Sequence, residues 1–499
     1  MKTVGHWIGG KNVDGESGRT APVTDPATGE VTTQVALAGA AEVDQAVAAA
    51  TEAGLDWSRS SLATRTRVLF AYRELLDRRR DEIARLITAE HGKVHADALG
   101  EVARGIEVVE FACGLAQLLK SSGSYEVSTG VDVREIRQPL GVVAGITPFN
   151  FPAMVPLWMF PMAIACGNTF ILKPSEKDPS AAMRVADLMA EAGLPPGVLN
   201  VVNGDQVAVR RLLEHPDVAA VSFVGSTPVA RSIYQAGTAA GKRVQALGGA
   251  KNHMVVLPDA DLDVAADSAV SAGYGSAGER CMAVSVVVAV GDIGDELVAK
   301  IAERTRGLRI GPGDQPTSDM GPLITAVHRD KVASYVPSAR EQGATVVLDG
   351  AAEQVGPAGA HFLGASLLDD VTPEMDAYRD EIFGPVLSVV RVATFADAMR
   401  LVNSSPWGNG AAVFTADGAA ARRFEMEVQA GMVGVNVPIP VPVAYHSFGG
   451  WKGSLFGDHH IYGSDSVHFY TRGKIVTSRW VAPGRGLDLA FPSSAGSNS

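Results

Sequence analysis

Three observations predict an α/β protein of more than one domain. Short apolar runs alternate with helix-length segments from residue 142 to 240. A second alternation of the same kind runs from about 251 to 445. The chain has 499 residues, room for two or three domains. Strands separated by helices of that length imply crossover connections and parallel sheets.

The elements follow in order. Met1–Gly10 carries no apolar core of signal-peptide length. Residues 62–91 form an amphipathic helix. Leu62, Val68, Leu69, Tyr72, Leu75, Leu76, Ile83, Leu86 and Ile87 recur at helical spacing, and Gly92 is placed to end it. In the first alternating region the strands are Val142–Ile146, Thr169–Leu172, Leu199–Val202 and Val221–Val224. Helices are predicted over Ser180–Ala192 and Pro228–Ala240. The apolar run Ala153–Cys166 contains Pro156 and Pro161 and is shorter than the ~20 residues a membrane span needs, so it predicts a buried helix. In open sheets of this kind ligands bind beyond the strand C-terminal ends. The second region offers His253–Leu257, Ser285–Val290, Val386–Arg391 and Ala411–Phe414 as strands, with no internal repeat. The end of the chain, 481–499, is rich in Gly, Pro and Ser and predicts a flexible tail.

Composition excludes some functions. Hydrophobic residues make up 46% and charged residues 20%, which fits a soluble globular protein. A net charge of −12 argues against a nucleic-acid surface. Nothing predicts a membrane partner. Three cysteines, Cys113, Cys166 and Cys281, form no disulfide framework and suit a reducing, cytoplasmic setting.

The chemistry centres on Gly278-Glu279-Arg280-Cys281-Met282. One cysteine lies in a small-residue loop directly after a cation, and a nearby positive charge favours the nucleophilic thiolate. A lone cysteine is more often an inert core residue. Four further segments change that balance: Thr147-Pro148-Phe149-Asn150-Phe151-Pro152, Lys173-Pro174-Ser175-Glu176, Phe223-Val224-Gly225-Ser226-Thr227 and Glu381-Ile382-Phe383-Gly384-Pro385. In this order and at these distances, over roughly residues 5 to 480, they resemble the aldehyde dehydrogenase superfamily.

The resemblance implies a Rossmann-type NAD-binding domain from 1–122 and 138–250, and a second α/β catalytic domain from 251–445. It also implies an oligomerisation arm from 123–137 and 446–480, in which Gly123–Arg137 pairs with His459–Ser478, and hence a homodimer or homotetramer. Cys281 would be the nucleophile, and Asn150 a donor to the oxyanion of the thiohemiacetal. Phe149, Gly225 and Ser226 would face the cofactor, Gly225 and Ser226 at a helix N-terminus suited to its pyrophosphate. The family often has glycine where Ala230 stands, and the extra methyl would crowd the cofactor slightly. Lys173 and Glu176 would hold the adenosine ribose, with Glu176 favouring NAD over NADP by repelling a 2′-phosphate. Glu381 would hold the nicotinamide ribose, with Phe383 beside it.

One departure bears on the reaction. Hydrolytic members carry a glutamate in an E-L-G-G-K segment, where it activates water. Here the stretch is Gln245-Ala246-Leu247-Gly248-Gly249-Ala250-Lys251-Asn252-His253. Aligned on Lys251 the base position is Leu247, and neighbouring registers give Ala246 or Gly248. A thiol such as that of coenzyme A would then resolve the thioester. The Gly-Ala-Lys-Asn-His ending is similar to the CoA-acylating methylmalonate-semialdehyde branch of the superfamily, which acts in valine or inositol breakdown. Its substrate carries a carboxylate, for which Arg280 and Arg104 would serve as partners. Two other readings stay open: a hydrolytic NAD-dependent enzyme releasing a free acid, and a non-catalytic protein with the same fold. No metal is expected, because His459-His460 has no third ligand at metal-site spacing.

Overall fold

A computed structural model describes residues 2–353 and 355–480. The predicted tail, 481–499, lies outside the described residues. Among the described residues the chain forms two large sheets and three small ones of two or three strands.

The first large sheet has eight strands. Five central ones run parallel in the order Arg243–Leu247, Val218–Val224, Val142–Ile146, Thr169–Lys173, Leu199–Val201. Short antiparallel strands close both edges: Leu455–Phe456 on one side, His6–Ile8 and Lys11–Val13 on the other. The second sheet orders seven strands: Thr345–Leu348, Ser366–Asp369, Val386–Val392, Val284–Val290, Asn252–Val256, Gly410–Phe414 and Met432–Val435. All neighbours in it are parallel except Thr345–Leu348 at the edge. Strands covered on both faces read as continuous β-branched runs, as in Val284-Ser285-Val286-Val287-Val288-Ala289-Val290.

The long helix spans Leu62–His91, and the Ser61 hydroxyl accepts the Thr64 N–H at its start. Gly92 ends it at φ +92°, where a Cβ would stand 2.7 Å from Pro322. The apolar run is the buried helix Met154–Ala165. Among the described residues no helix is long and apolar enough to cross a membrane.

The expected arm needs a correction. Gly123–Ser128 and Val131–Pro139 form a three-stranded sheet with the returning chain, but that strand is Thr471–Arg479 and does not start at His459. Residues 463–470 form the helix Gly463–Tyr470. Its side chains Phe469 and Tyr470 are fully buried in the first core, and upstream Phe448 and Tyr462 pack 5.0 and 5.1 Å from the Trp158 ring. Large aromatic rings bury more apolar surface there than a solvent-facing arm would allow.

Candidate active site

The loop before the cysteine is strained. Ser276, Ala277 and Gly278 have φ of 54°, 52° and 74°, three consecutive left-handed residues. A Cβ on Gly278 would stand 2.3 Å from the Gly384 carbonyl oxygen, so this loop lies directly on the Glu381–Pro385 segment. Phe383 in that segment is also left-handed, at φ 58°. Non-glycine residues held there cost about 1–3 kcal/mol each and gather where a site must be shaped.

Cys281 sits partly exposed at the end of this loop. Its thiol is pushed up to about 12 by burial first and then by the Glu381 charge. The expectation that Arg280 poises a thiolate is therefore corrected. The Arg280 guanidinium is 2.6 Å from Asp97 Oδ1 and spends its charge there, so its influence on the sulfur is small.

Asn150 is buried and close to the nucleophile's loop. Its Nδ2 donates to the Glu279 carbonyl at 2.9 Å. A side-chain amide has two N–H groups, so one remains for an oxyanion. The backbone of Asn150 is held from below by Lys93, whose Nζ donates to its carbonyl at 2.7 Å and to Glu101 Oε2 at 2.7 Å. Glu101 Oε1 in turn accepts the Ala153 and Met154 N–H groups at the start of the Met154–Ala165 helix. Lys93 and Glu101 escaped the sequence reading. The available signal was Glu101 itself, a carboxylate on the apolar stripe shared with Ala98, Val102 and Gly105.

The cofactor candidates collect at the C-terminal edge of the first sheet. Gly225 and Ser226 follow Val218–Val224, and Ser226 opens the helix Thr227–Ala239 with Pro228 in its first turn. Ala230 is fully buried in the core beside Ile233, so its methyl fills the core and does not crowd a ligand. Lys173 Nζ lies 3.3 Å from Glu176 Oε2 just after its strand, with the Glu176 side chain 34% exposed. Removing that charge should relax discrimination against a 2′-phosphate. Glu176→Gln is expected to raise kcat/KM with NADP relative to NAD, and an unchanged ratio would count against the assignment. Glu381 Oε1 accepts the Ala250 N–H at 2.9 Å, and burial holds its carboxyl up to about 7. Its other oxygen fills the space a Cβ on Gly249 would need, 2.1 Å away. The Phe383 and Phe149 rings meet edge to face, 6.0 Å apart.

Beneath these residues lies a buried group that the sequence reading left unassigned. Glu279 is fully buried, with Oε1 3.3 Å from the Ile324 N–H and 3.7 Å from His328 Nε2. Its Oε2 has no hydrogen-bond partner and lies 3.7 Å from His91 Nε2, which also has none. His328 Nε2 meets the Phe383 carbonyl at 2.7 Å. Burial pushes Glu279 up to about 8. The unfolded side chain titrates near 4.5. The folded chain therefore keeps a proton that the unfolded chain releases, a stability contribution present below about pH 4.5 and lost as pH rises through about 8. Glu279→Gln should flatten the fall of Tm across that range. Equal slopes in the two proteins would mean that the carboxyl is ionised in the fold.

Arg104 lies on the helix His95–Cys113. Its guanidinium meets Glu107 Oε2 at 2.7 Å and the carbonyls of Val441 and Pro442 at 3.3 and 2.8 Å. The Tyr462 hydroxyl donates to the same Pro442 carbonyl at 3.0 Å, and Arg104 and Cys281 both lie close enough to influence its ionisation. Both candidate substrate arginines thus have internal partners. Leu247 ends the strand Arg243–Leu247 with its side chain in the first core, 2% exposed. His459 faces Asp465 at 3.3 Å, and among the described residues no group of three or more His, Cys, Asp or Glu could hold a metal ion.

The aldehyde dehydrogenase family profile matches residues 12–476. A malonate-semialdehyde dehydrogenase of Pseudomonas aeruginosa is 55% identical over 497 residues, covering 99% of this chain and 100% of the relative. Malonate-semialdehyde dehydrogenase 2 of Geobacillus kaustophilus is 50% identical over 480 residues, covering 96% and 99%. Among solved structures, the methylmalonate-semialdehyde dehydrogenase of Oceanimonas doudoroffii superposes with a TM-score of 0.95 at 56% identity, over 97% of this chain and 99% of that one. A Sinorhizobium meliloti protein assigned as a methylmalonate-semialdehyde dehydrogenase, in complex with NAD, gives a TM-score of 0.96 at 52% identity over the same shares. With the profile spanning nearly the whole chain and full-length relatives at half identity or more, the chain belongs to the aldehyde dehydrogenase family.

Proposed function

We propose that this chain oxidises methylmalonate semialdehyde and malonate semialdehyde with NAD and passes the acyl group to coenzyme A, giving propionyl-CoA and acetyl-CoA. Relatives named for both substrates support the semialdehyde, and the NAD complex of a relative supports the cofactor. In this reading 1–122 and 138–250 bind the cofactor, 251–445 carry the catalytic cysteine, and the three-stranded sheet joins subunits.

The Cys281 thiol gives its proton to solvent water and its sulfur attacks the aldehyde carbon, forming a C–S bond as the carbonyl π bond breaks. The carbonyl oxygen becomes an oxyanion held by the Asn150 amide and the Cys281 N–H. NAD, when bound against Gly225, Ser226, Phe149, Lys173, Glu176, Glu381 and Phe383, supplies the hydride acceptor. The thioester left on Cys281 carries a β-carboxylate. Breaking that C–C bond releases CO2, and the electron pair is delocalised into the thioester carbonyl before a proton replaces it. The coenzyme A thiolate then displaces Cys281.

The observation that carries the CoA step is Leu247. No carboxylate stands where hydrolytic relatives activate water, and Leu247 points into the core. Glu381 is engaged by the Ala250 N–H. Product identification by mass spectrometry tests the reading: acyl-CoA with CoA, and little free acid without it. Free acid released at the same rate without CoA would favour the hydrolytic alternative. Leu247→Glu should yield some free acid in the absence of CoA, with a lowered Tm because the new carboxylate starts in an apolar core.

Arg104 and Arg280 are proposed to recognise the substrate carboxylate, turning from internal partners toward it. Arg104→Leu and Arg280→Leu should each lower kcat/KM for methylmalonate semialdehyde by the roughly 1.5–3 kcal/mol of a charged hydrogen bond. Propanal has no carboxylate and should lose much less. Equal losses for the two aldehydes would leave the arginines a structural role only.

A further inference from the structure

We propose that Asn252 and Asn409 are positioning residues for the nucleophile, their amides pinning the Cys281–Met282 peptide so that its N–H is held toward the sulfur. The inference rests on Cys281 being the nucleophile.

Asn252 Nδ2 donates to the Cys281 carbonyl at 2.9 Å and to the Ala283 carbonyl at 3.0 Å. Its Oδ1 accepts the Gly410 N–H at 3.0 Å. Asn409 Nδ2 reaches the same Cys281 oxygen at 3.2 Å and the Met282 sulfur at 3.0 Å. Both residues are 4% exposed. Asn252 opens the strand Asn252–Val256, and Asn409 immediately precedes its parallel neighbour Gly410–Phe414. Two adjacent strands of the second sheet thus each send one buried amide to a single carbonyl.

That carbonyl belongs to the peptide whose N–H is Met282's. A peptide unit is planar and trans, so fixing the direction of its oxygen fixes that of its N–H. Donors on the oxygen also polarise the unit and strengthen its N–H as a donor. The N–H groups of Cys281 and Met282 both favour a charged sulfur, against burial and the Glu381 charge. Arg280 gives little help because Asp97 holds it. The pinned peptide is therefore a local device that opposes the upward push on this thiol. It is distinct from the oxyanion donors, since the Cys281 N–H lies on the preceding peptide.

The test is the pH profile of Cys281 alkylation by iodoacetamide in the intact enzyme with NAD, read on its peptide by mass spectrometry. Buried Cys113 and Cys166 serve as internal controls. Asn409→Leu removes the donor at similar volume and adds no charge. It should raise the apparent thiol pKa by about one unit and slow alkylation at neutral pH about tenfold. KM for NAD should stay within about twofold, since the Asn409 amide is engaged by the Cys281 carbonyl and the Met282 sulfur. Asn252→Ala should act in the same direction. Because it also strands the Gly410 N–H, a failure of that variant to fold leaves Asn409→Leu to decide. An alkylation midpoint in Asn409→Leu within about 0.2 units of wild type would overturn the proposal. Failure of the underlying reading is seen separately, as an NADH burst surviving in Cys281→Ala.

Discussion

Cys281→Ala is expected to abolish aldehyde oxidation while leaving NAD binding intact. The sulfur is the proposed covalent partner, so its removal deletes the reaction path and does not merely weaken it. Cys113 and Cys166 cannot substitute. Both are buried, and their thiols are pushed up to about 11 and about 12. The change should also be quiet structurally. The loop is shaped by backbone contacts, namely Gly278 against Gly384 and the two amides on the Cys281 carbonyl, and all of these survive loss of a side chain. The measurement is the pre-steady-state burst of NADH, with NAD affinity followed by quenching of protein fluorescence. A burst near wild-type size would remove Cys281 from the mechanism. Loss of both burst and NAD binding would point to a collapsed site.

Much of this architecture was legible in the sequence because its signals are local. Val142–Ile146 is bounded as expected, and Thr169–Lys173, Val284–Val290 and Gly410–Phe414 differ by a residue or so at an end. β-Branched runs flanked by glycines have few alternative readings. The site segments were legible for a related reason, since all five sit where a strand ends or a loop turns sharply. What escaped notice depends on contacts across the chain. Asp97 neutralises Arg280 from 183 positions away, so adjacency to Cys281 overstated the effect of the cation. Lys93 looks like an ordinary charge between two helices, and the carboxylate of Glu101 on its helix's apolar stripe has no visible partner until the Asn150 turn is folded onto both. Asn409 stands in a loop with no motif around it, and only strand pairing brings it to Cys281. His459–Tyr470 read as arm because the strand after it does pair there. Burial of Phe469 and Tyr470 is a tertiary fact that alternation could not reveal.

The second large effect is expected at Asn150. Attack on the aldehyde creates an oxyanion beside a buried amide, where a fixed donor is worth far more than in solvent. Asn150→Ala removes the side-chain donor and should lower the rate of hydride transfer by about 10²–10³. The resting contact to the Glu279 carbonyl complicates the reading, because alanine also releases that oxygen. Asn150→Asp separates the effects. It keeps the shape but offers two acceptors, so it would repel both the Glu279 carbonyl and the oxyanion. It should therefore be at least as slow as alanine. The backbone of residue 150 should stay in place in both variants, because Lys93 holds its carbonyl and is itself held by Glu101. The observable is the single-turnover rate of NADH formation at saturating aldehyde, which excludes differences in substrate binding. A loss of only a few-fold in Asn150→Ala would make Asn150 a structural residue and leave the Cys281 N–H to stabilise the oxyanion without it.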